Sequence, residues 1–143
     1  MKLNKKAIII SVIAVVVCAA VIFSLVLTSK VRLGEDAKGE FYYGYNSDDI
    51  LIATNLSDEK SAIIVQMFNK EKYITGKTPD VEFNAENYLS FADGNKTKLF
   101  YIACDGSPYI KYNDKIFQLE DWEIDQLHSI LGEFGAFFPC FID

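Results

Sequence analysis

A single histidine, His128, limits the chemistry open to this chain of 143 residues. A nucleophile–His relay or a His-rich metal site would have to be built around that one imidazole. His128 falls at the edge of the apolar stripe of a C-terminal helix, and neither a catalytic nor a ligand role is expected of it. Asp48-Asp49, Asp93-Gly94-Asn95 and Asp105-Gly106-Ser107 carry oxygens that suit calcium. None has the alternating carboxylates of an EF-hand loop, and the same residue types are what tight turns use. Gly76-Lys77-Thr78 looks like the end of a phosphate-binding loop. Such a loop needs another Gly five residues before Gly76, where Glu71 would instead oppose a phosphate. The nucleotide reading therefore fails.

Cys104 and Cys140 are the cysteines outside an N-terminal apolar run, which holds Cys18. Two cysteines are too few for the usual four-thiolate zinc site. In an exported domain they form either a disulfide or a pair of free thiols, and the sequence leaves both open. A bridge requires Cα atoms within about 7 Å, so it also requires the C-terminal tail to return to the strand that ends before Cys104. Asn55-Leu56-Ser57 and Asn95-Lys96-Thr97 match the glycosylation pattern for a eukaryotic secretory route. A carboxylate pair or a serine–lysine hydrolase leaves no short signature to find. No catalytic, cofactor-binding or metal-binding residue is assigned, and no cofactor is expected.

The element that sets the compartment is Ala7–Thr28, a run without charge, Pro or Gly. As a helix at ~1.5 Å per residue it spans a ~30 Å hydrocarbon core. Lys2, Lys5 and Lys6 precede it and no acid does, which by the positive-inside tendency keeps the N-terminus cytoplasmic and exports the rest. An uncleaved signal anchor is expected, because the run is longer than a usual signal-peptide core. Cleavage near Thr28, giving a secreted protein, and lipid modification of Cys18 are the alternatives. The organisation is then a cytoplasmic tail (1–6), a transmembrane signal anchor (7–28), a juxtamembrane linker (29–39) and an extracytoplasmic domain (40–143). All 20 acidic residues but only 11 of the 14 basic ones lie beyond the anchor, a formal charge of −9. Phosphate backbones would repel such a domain, so a nucleic-acid partner is not expected.

The exported part reads as a small α+β domain with an antiparallel β-meander and two helices. Phe41–Tyr45 and Ile50–Thr54 suit a hairpin. Ser57-Asp58-Glu59 opens a helix over about 57–70 with Ile63, Ile64, Met67 and Phe68 on one face. Val81–Phe83, Asn87–Phe91, Thr97–Ala103, Tyr109–Tyr112 and Ile116–Leu119 are β-prone and separated by turn residues, which predicts a meander of three or four strands. Ile124, Leu127, Ile130, Leu131 and Phe134 repeat at helical spacing, with Gly135 as the stop. Aromatic residues reach 14%, too many for a disordered stalk. A membrane-tethered extracytoplasmic binding domain is the expected function, its partner an exported protein or a cell-envelope component. A small extracytoplasmic hydrolase and a structural subunit of a membrane assembly are the alternatives.

Overall fold

The computed structural model of the chain describes residues 4–45, 48, 51–103 and 105–132, in two compact units, Met1–Lys30 and Val31–Asp143. The first unit is α1 (Lys5–Ser29). The Asn4 carboxamide oxygen accepts from the Lys6 N–H at 3.1 Å, giving the helix a capped start. Its stretch Lys5–Leu25 has a mean hydropathy of 3.1 and is long and apolar enough to cross a membrane or act as a signal sequence. Ile10, Val15 and Phe23, spread around the cylinder, are 67%, 68% and 65% exposed, so no face is set aside for packing within the unit.

The second unit contains β1 (Lys38–Tyr45), β2 (Leu51–Asn55), α2 (Asp58–Asn69), β3 (Phe83–Asp93), β4 (Lys96–Ala103), β5 (Tyr109–Tyr112), β6 (Lys115–Gln118) and α3 (Asp121–Gly132). The strands form one antiparallel sheet in the order β2-β1-β3-β4-β5-β6. The meander expected from the turn signals is β3 to β6. It does not stand apart from the hairpin, because β1 pairs with β3 from Lys38↔Ala92 to Tyr43↔Asn87. The meander has four strands, and joined to the hairpin it gives one six-stranded sheet. Gly94 and Gly106 sit at φ +62° and +77°, and Asn113 at +52°, the left-handed geometry that tight hairpin turns require.

Each helix starts where its sequence provides a cap. Ser57 Oγ accepts from the Lys60 N–H at 3.2 Å, and Asp58 and Glu59 follow in the first turn. At α3 the Glu120 N–H donates to Glu123 Oε1 at 3.2 Å, half of a capping box. Both helices deliver their apolar faces to the same side of the sheet. Phe68 of α2 stands against Phe91, Phe100 and Phe117 with ring centroids 6.4, 5.2 and 5.1 Å away. Leu127 and Leu131 of α3 join this core fully buried.

The stretch expected as a linker up to residue 39 is built into the fold instead. Val31, Leu33 and Ala37 are buried, and β1 already begins at Lys38. Asn69, near the end of α2, holds this segment like a neighbouring strand. Its Oδ1 accepts from the Leu33 N–H at 2.7 Å and its Nδ2 donates to the Leu33 carbonyl at 2.8 Å. Lys98 closes the other side, donating to the Arg32 carbonyl at 2.8 Å and to Asp93 at 2.9 Å. Val31-Arg32-Leu33 alternates, but over three residues the alternation is too short to read as structure in the sequence.

Within β3 the register shifts between Phe83 and Tyr88, so two stretches expected as separate strands are one strand with an irregular middle. Asn84 Oδ1 accepts from the Glu86 N–H at 2.9 Å and turns the chain there. Asn87 follows on the core side, fully buried, with neither end of its carboxamide hydrogen-bonded. A buried amide without partners costs about 1–3 kcal/mol. Asn87→Leu, of similar size, should therefore raise the unfolding free energy by about 1 kcal/mol or more in urea titration. A loss of stability would mean that ordered water serves this side chain.

Candidate functional site

Alternation along the strands puts the large apolar side chains under the helices and leaves the opposite face of the sheet to different residues. On that face the cross-strand register places Ala53, Tyr42, Tyr88, Tyr101, Lys111 and Ile116 in one row, one from each strand. The three tyrosines occupy the middle of the row. Tyr42 and Tyr88 stack with centroids 4.7 Å apart and planes at 11°. Tyr88 and Tyr101 follow at 5.4 Å and 52°. Such pairs contribute about 0.5–1.5 kcal/mol each beyond area burial and hold the rings in place. The stacking occupies ring faces, so a partner meets ring edges and hydroxyl groups on a rigid ridge.

The Tyr42 hydroxyl donates to Glu40 Oε2 at 2.7 Å. That hydrogen bond holds the Tyr42 proton and raises its pKa above the ordinary phenol value, with burial and the charge of Glu40 adding to it. Beside the ridge runs a groove of about 410 Å³, walled by Tyr42, Glu40 and Asn55 and floored by Ser90, Ala92 and Thr97. The floor is low because these residues are small. The groove offers the Lys38 ammonium, the Glu40 carboxylate, the Asn55 carboxamide and the hydroxyls of Tyr42, Ser90 and Thr97. This combination suits binding by shape and hydrogen bonding.

A second unusual place joins the end of α2 to the start of α3. Glu123 is 1% exposed, and its Oε2 has no hydrogen-bond donor among the described residues. Glu71 lies against it. Burial, a hydrogen bond to Glu123 and the charges of Glu123 and Glu120 push the Glu71 pKa up to about 7, with Lys70 opposing. A Glu71 that keeps its proton can donate it to the Glu123 carboxylate. A carboxyl–carboxylate pair is also the chemistry of acid hydrolases. Here Glu123 is closed off from solvent and its Oε1 caps its own helix, so the pair holds two helices together rather than facing a substrate.

The residues singled out from sequence fall elsewhere. His128 is half-buried on α3, its pKa lowered by burial and raised in part by Asp125. Asp93 is held by Lys98 and by the Gly34 N–H, which lower its pKa. Asp105 accepts from the Ser107 hydroxyl and from its N–H at 3.0 Å. These are turn-stabilising bonds, and among the described residues no group of three His, Cys, Asp or Glu side chains assembles as a metal site. Gly76 takes φ +90° in an exposed loop. Cys104 and Cys140 lie outside the described residues, as do Asp49 and Gly135. Neither the tyrosine row nor the Glu71–Glu123 pair was singled out from sequence. Tyrosines at 42, 88 and 101 have no common spacing until the strand register is known. No protein-family model, curated protein or solved structure matches this chain.

Proposed function

We propose that the chain is a membrane-tethered extracytoplasmic binding domain that recognises an exported protein or a cell-envelope component on the sheet face opposite α2 and α3. Residues 7–28 are the anchor, with the N-terminus cytoplasmic and the domain outside. The observation that carries the reading is the ridge of Tyr42, Tyr88 and Tyr101 beside the polar groove. Tyrosine combines apolar area with a hydrogen-bonding tip and loses little side-chain freedom when it binds, which suits recognition without catalysis. Stacking that fixes the rings before binding lowers the ordering cost further.

The experiment uses the full chain with an affinity tag after Asp143. The tag should be accessible to antibody on intact cells, and the protein should purify with detergent-solubilised membranes together with a specific protein or envelope polymer. Tyr88→Ala should reduce that capture at least about tenfold, the scale of one interface hot spot, while the circular dichroism of the domain is unchanged. A tag hidden inside intact cells would sink the topology. Capture equal in the wild type and the Tyr88→Ala variant would remove the ridge as the binding surface.

A further inference from the structure

The sheet has two edges, and they are treated differently. Outside β6, residue Tyr73 forms a β-bridge with Phe117, and the Ile74 N–H donates to the Ile116 carbonyl at 2.7 Å. The Lys115 ammonium sits 5.2 Å over the Tyr73 ring and adds a charge at that edge. A second strand cannot pair there without displacing this segment. Among the described residues the β2 edge has none of these protections. Leu51-Ile52-Ala53-Thr54-Asn55 carries no charge, no Pro and no Gly. Its pairing with β1 matches Asn55, Thr54 and Ala53 to Glu40, Phe41 and Tyr42. Beyond Tyr42 three steps along β1 match two along β2, so the irregularity belongs to β1 and β2 itself stays regular.

The direction of the edge groups follows from one bond. The Leu56 N–H donates inward to the Gly39 carbonyl at 2.9 Å. Antiparallel alternation then turns Thr54 inward as well and points the N–H and C=O groups of Leu51, Ala53 and Asn55 away from β1. Among the described residues nothing pairs with this row. An uncharged, regular edge of this kind is a template for another extended strand.

We infer that β2 pairs antiparallel with β2 of a second copy of this chain across a two-fold axis at Ala53. The fate of the other edge is what selects a second copy. With β6 covered, head-to-tail addition of β2 to β6 is blocked, so edge pairing closes at two chains instead of growing into a fibre. The two-fold at Ala53 sets Ala53 opposite its own copy and Leu51 opposite Asn55, which allows about six inter-chain backbone hydrogen bonds. Ile52 and Thr54 then meet across the axis on the helix side, a β-branched pair that sheets favour. No like charges face one another within the paired strands. The two sheets become one, with both pairs of helices on the same side and the two tyrosine ridges on the other.

The test uses the full chain in detergent. Sedimentation should give a dimer of protein chains at micromolar concentration. Ala53→Pro removes an outward donor and leaves the β1–β2 bonds intact, a position where edge strands tolerate Pro. It should weaken dimerisation at least about tenfold without changing the circular dichroism. Ala53→Cys should cross-link between copies under mild oxidation, since directly opposed hydrogen-bonded positions lie about 5.5 Å apart, within disulfide reach. Ser90→Cys, on the same face but two strands further from the axis, should not, because ~4.8 Å per strand puts its two copies more than about 20 Å apart. A monomeric wild type, or Ala53→Cys cross-linking no better than Ser90→Cys, would overturn the inference.

Discussion

Phe68→Ala is expected to remove about 3–5 kcal/mol of unfolding free energy from the second unit. Phe68 is fully buried at the centre of the core. It touches rings from three strands, Phe91 of β3, Phe100 of β4 and Phe117 of β6, in edge-on and tilted geometries. These rings also meet one another, Phe91 with Phe100 at 6.0 Å and Phe100 with Phe117 at 6.2 Å. Removing the central ring leaves a cavity whose walls are themselves interlocked and cannot easily collapse inward. Domains of this size have about 5–15 kcal/mol in total, so the variant should lie close to unfolding at 37 °C. Phe68→Leu keeps most of the volume and should cost less than about half as much. Urea titrations of the two variants beside the wild type measure both differences. A loss below about 1.5 kcal/mol for Phe68→Ala would mean that α2 does not anchor the core.

Local signals located most of the elements. Ser57 with two following acids marked the start of α2 to within a residue, and Asp-Gly and Asn-Asp pairs marked the turns of β3 to β6. These signals act through the first neighbours in the chain, so they can be read without knowing the fold. The pairing of β1 with β3 is different. It is set by α2 packing over the sheet and returning the chain to the inner side of the hairpin, which no local pattern encodes. The same holds for Val31–Ala37, whose place depends on Asn69 and Lys98, distant in sequence. A side chain that replaces a strand partner looks, in sequence, like any polar residue near a helix end.

Sites were less legible than elements, for a related reason. The sequence could say which chemistries lacked residues, because a count of one histidine needs no geometry. It could not bring Tyr42, Tyr88 and Tyr101 together, since a one-residue change of register would send each to the other face. In sequence Glu123 is one more acid in the first turn of a helix, where it suits the positive end of the dipole. What distinguishes it is a burial partner, Glu71, which arrives from the far end of another helix.

That pair makes the stability of the domain fall as pH rises through neutrality. Glu71 has its pKa raised from 4.5 to about 7, first by burial, then by the hydrogen bond and negative charge of Glu123 and the charge of Glu120. The folded state therefore holds the Glu71 proton more tightly than the unfolded chain does. The stability this gives is complete below the unfolded pKa of 4.5 and is lost as pH climbs through about 7. Glu71 is in part open to solvent, which screens the interaction, so about 1–2 kcal/mol is the expected size. Glu71→Gln keeps a donor for Glu123 Oε2 and cannot ionise. It should match the wild type near pH 4.5 and exceed it by that amount at pH 8. His128 works in the other direction, because burial lowers its pKa and its contribution is lost as pH falls. That contribution is common to both proteins and cancels in the difference between them. Urea midpoints of the two proteins across pH 4.5–8.5 give this difference directly. Parallel curves would mean that Glu71 and Glu123 share no proton, and Glu123 Oε2 would then need another donor.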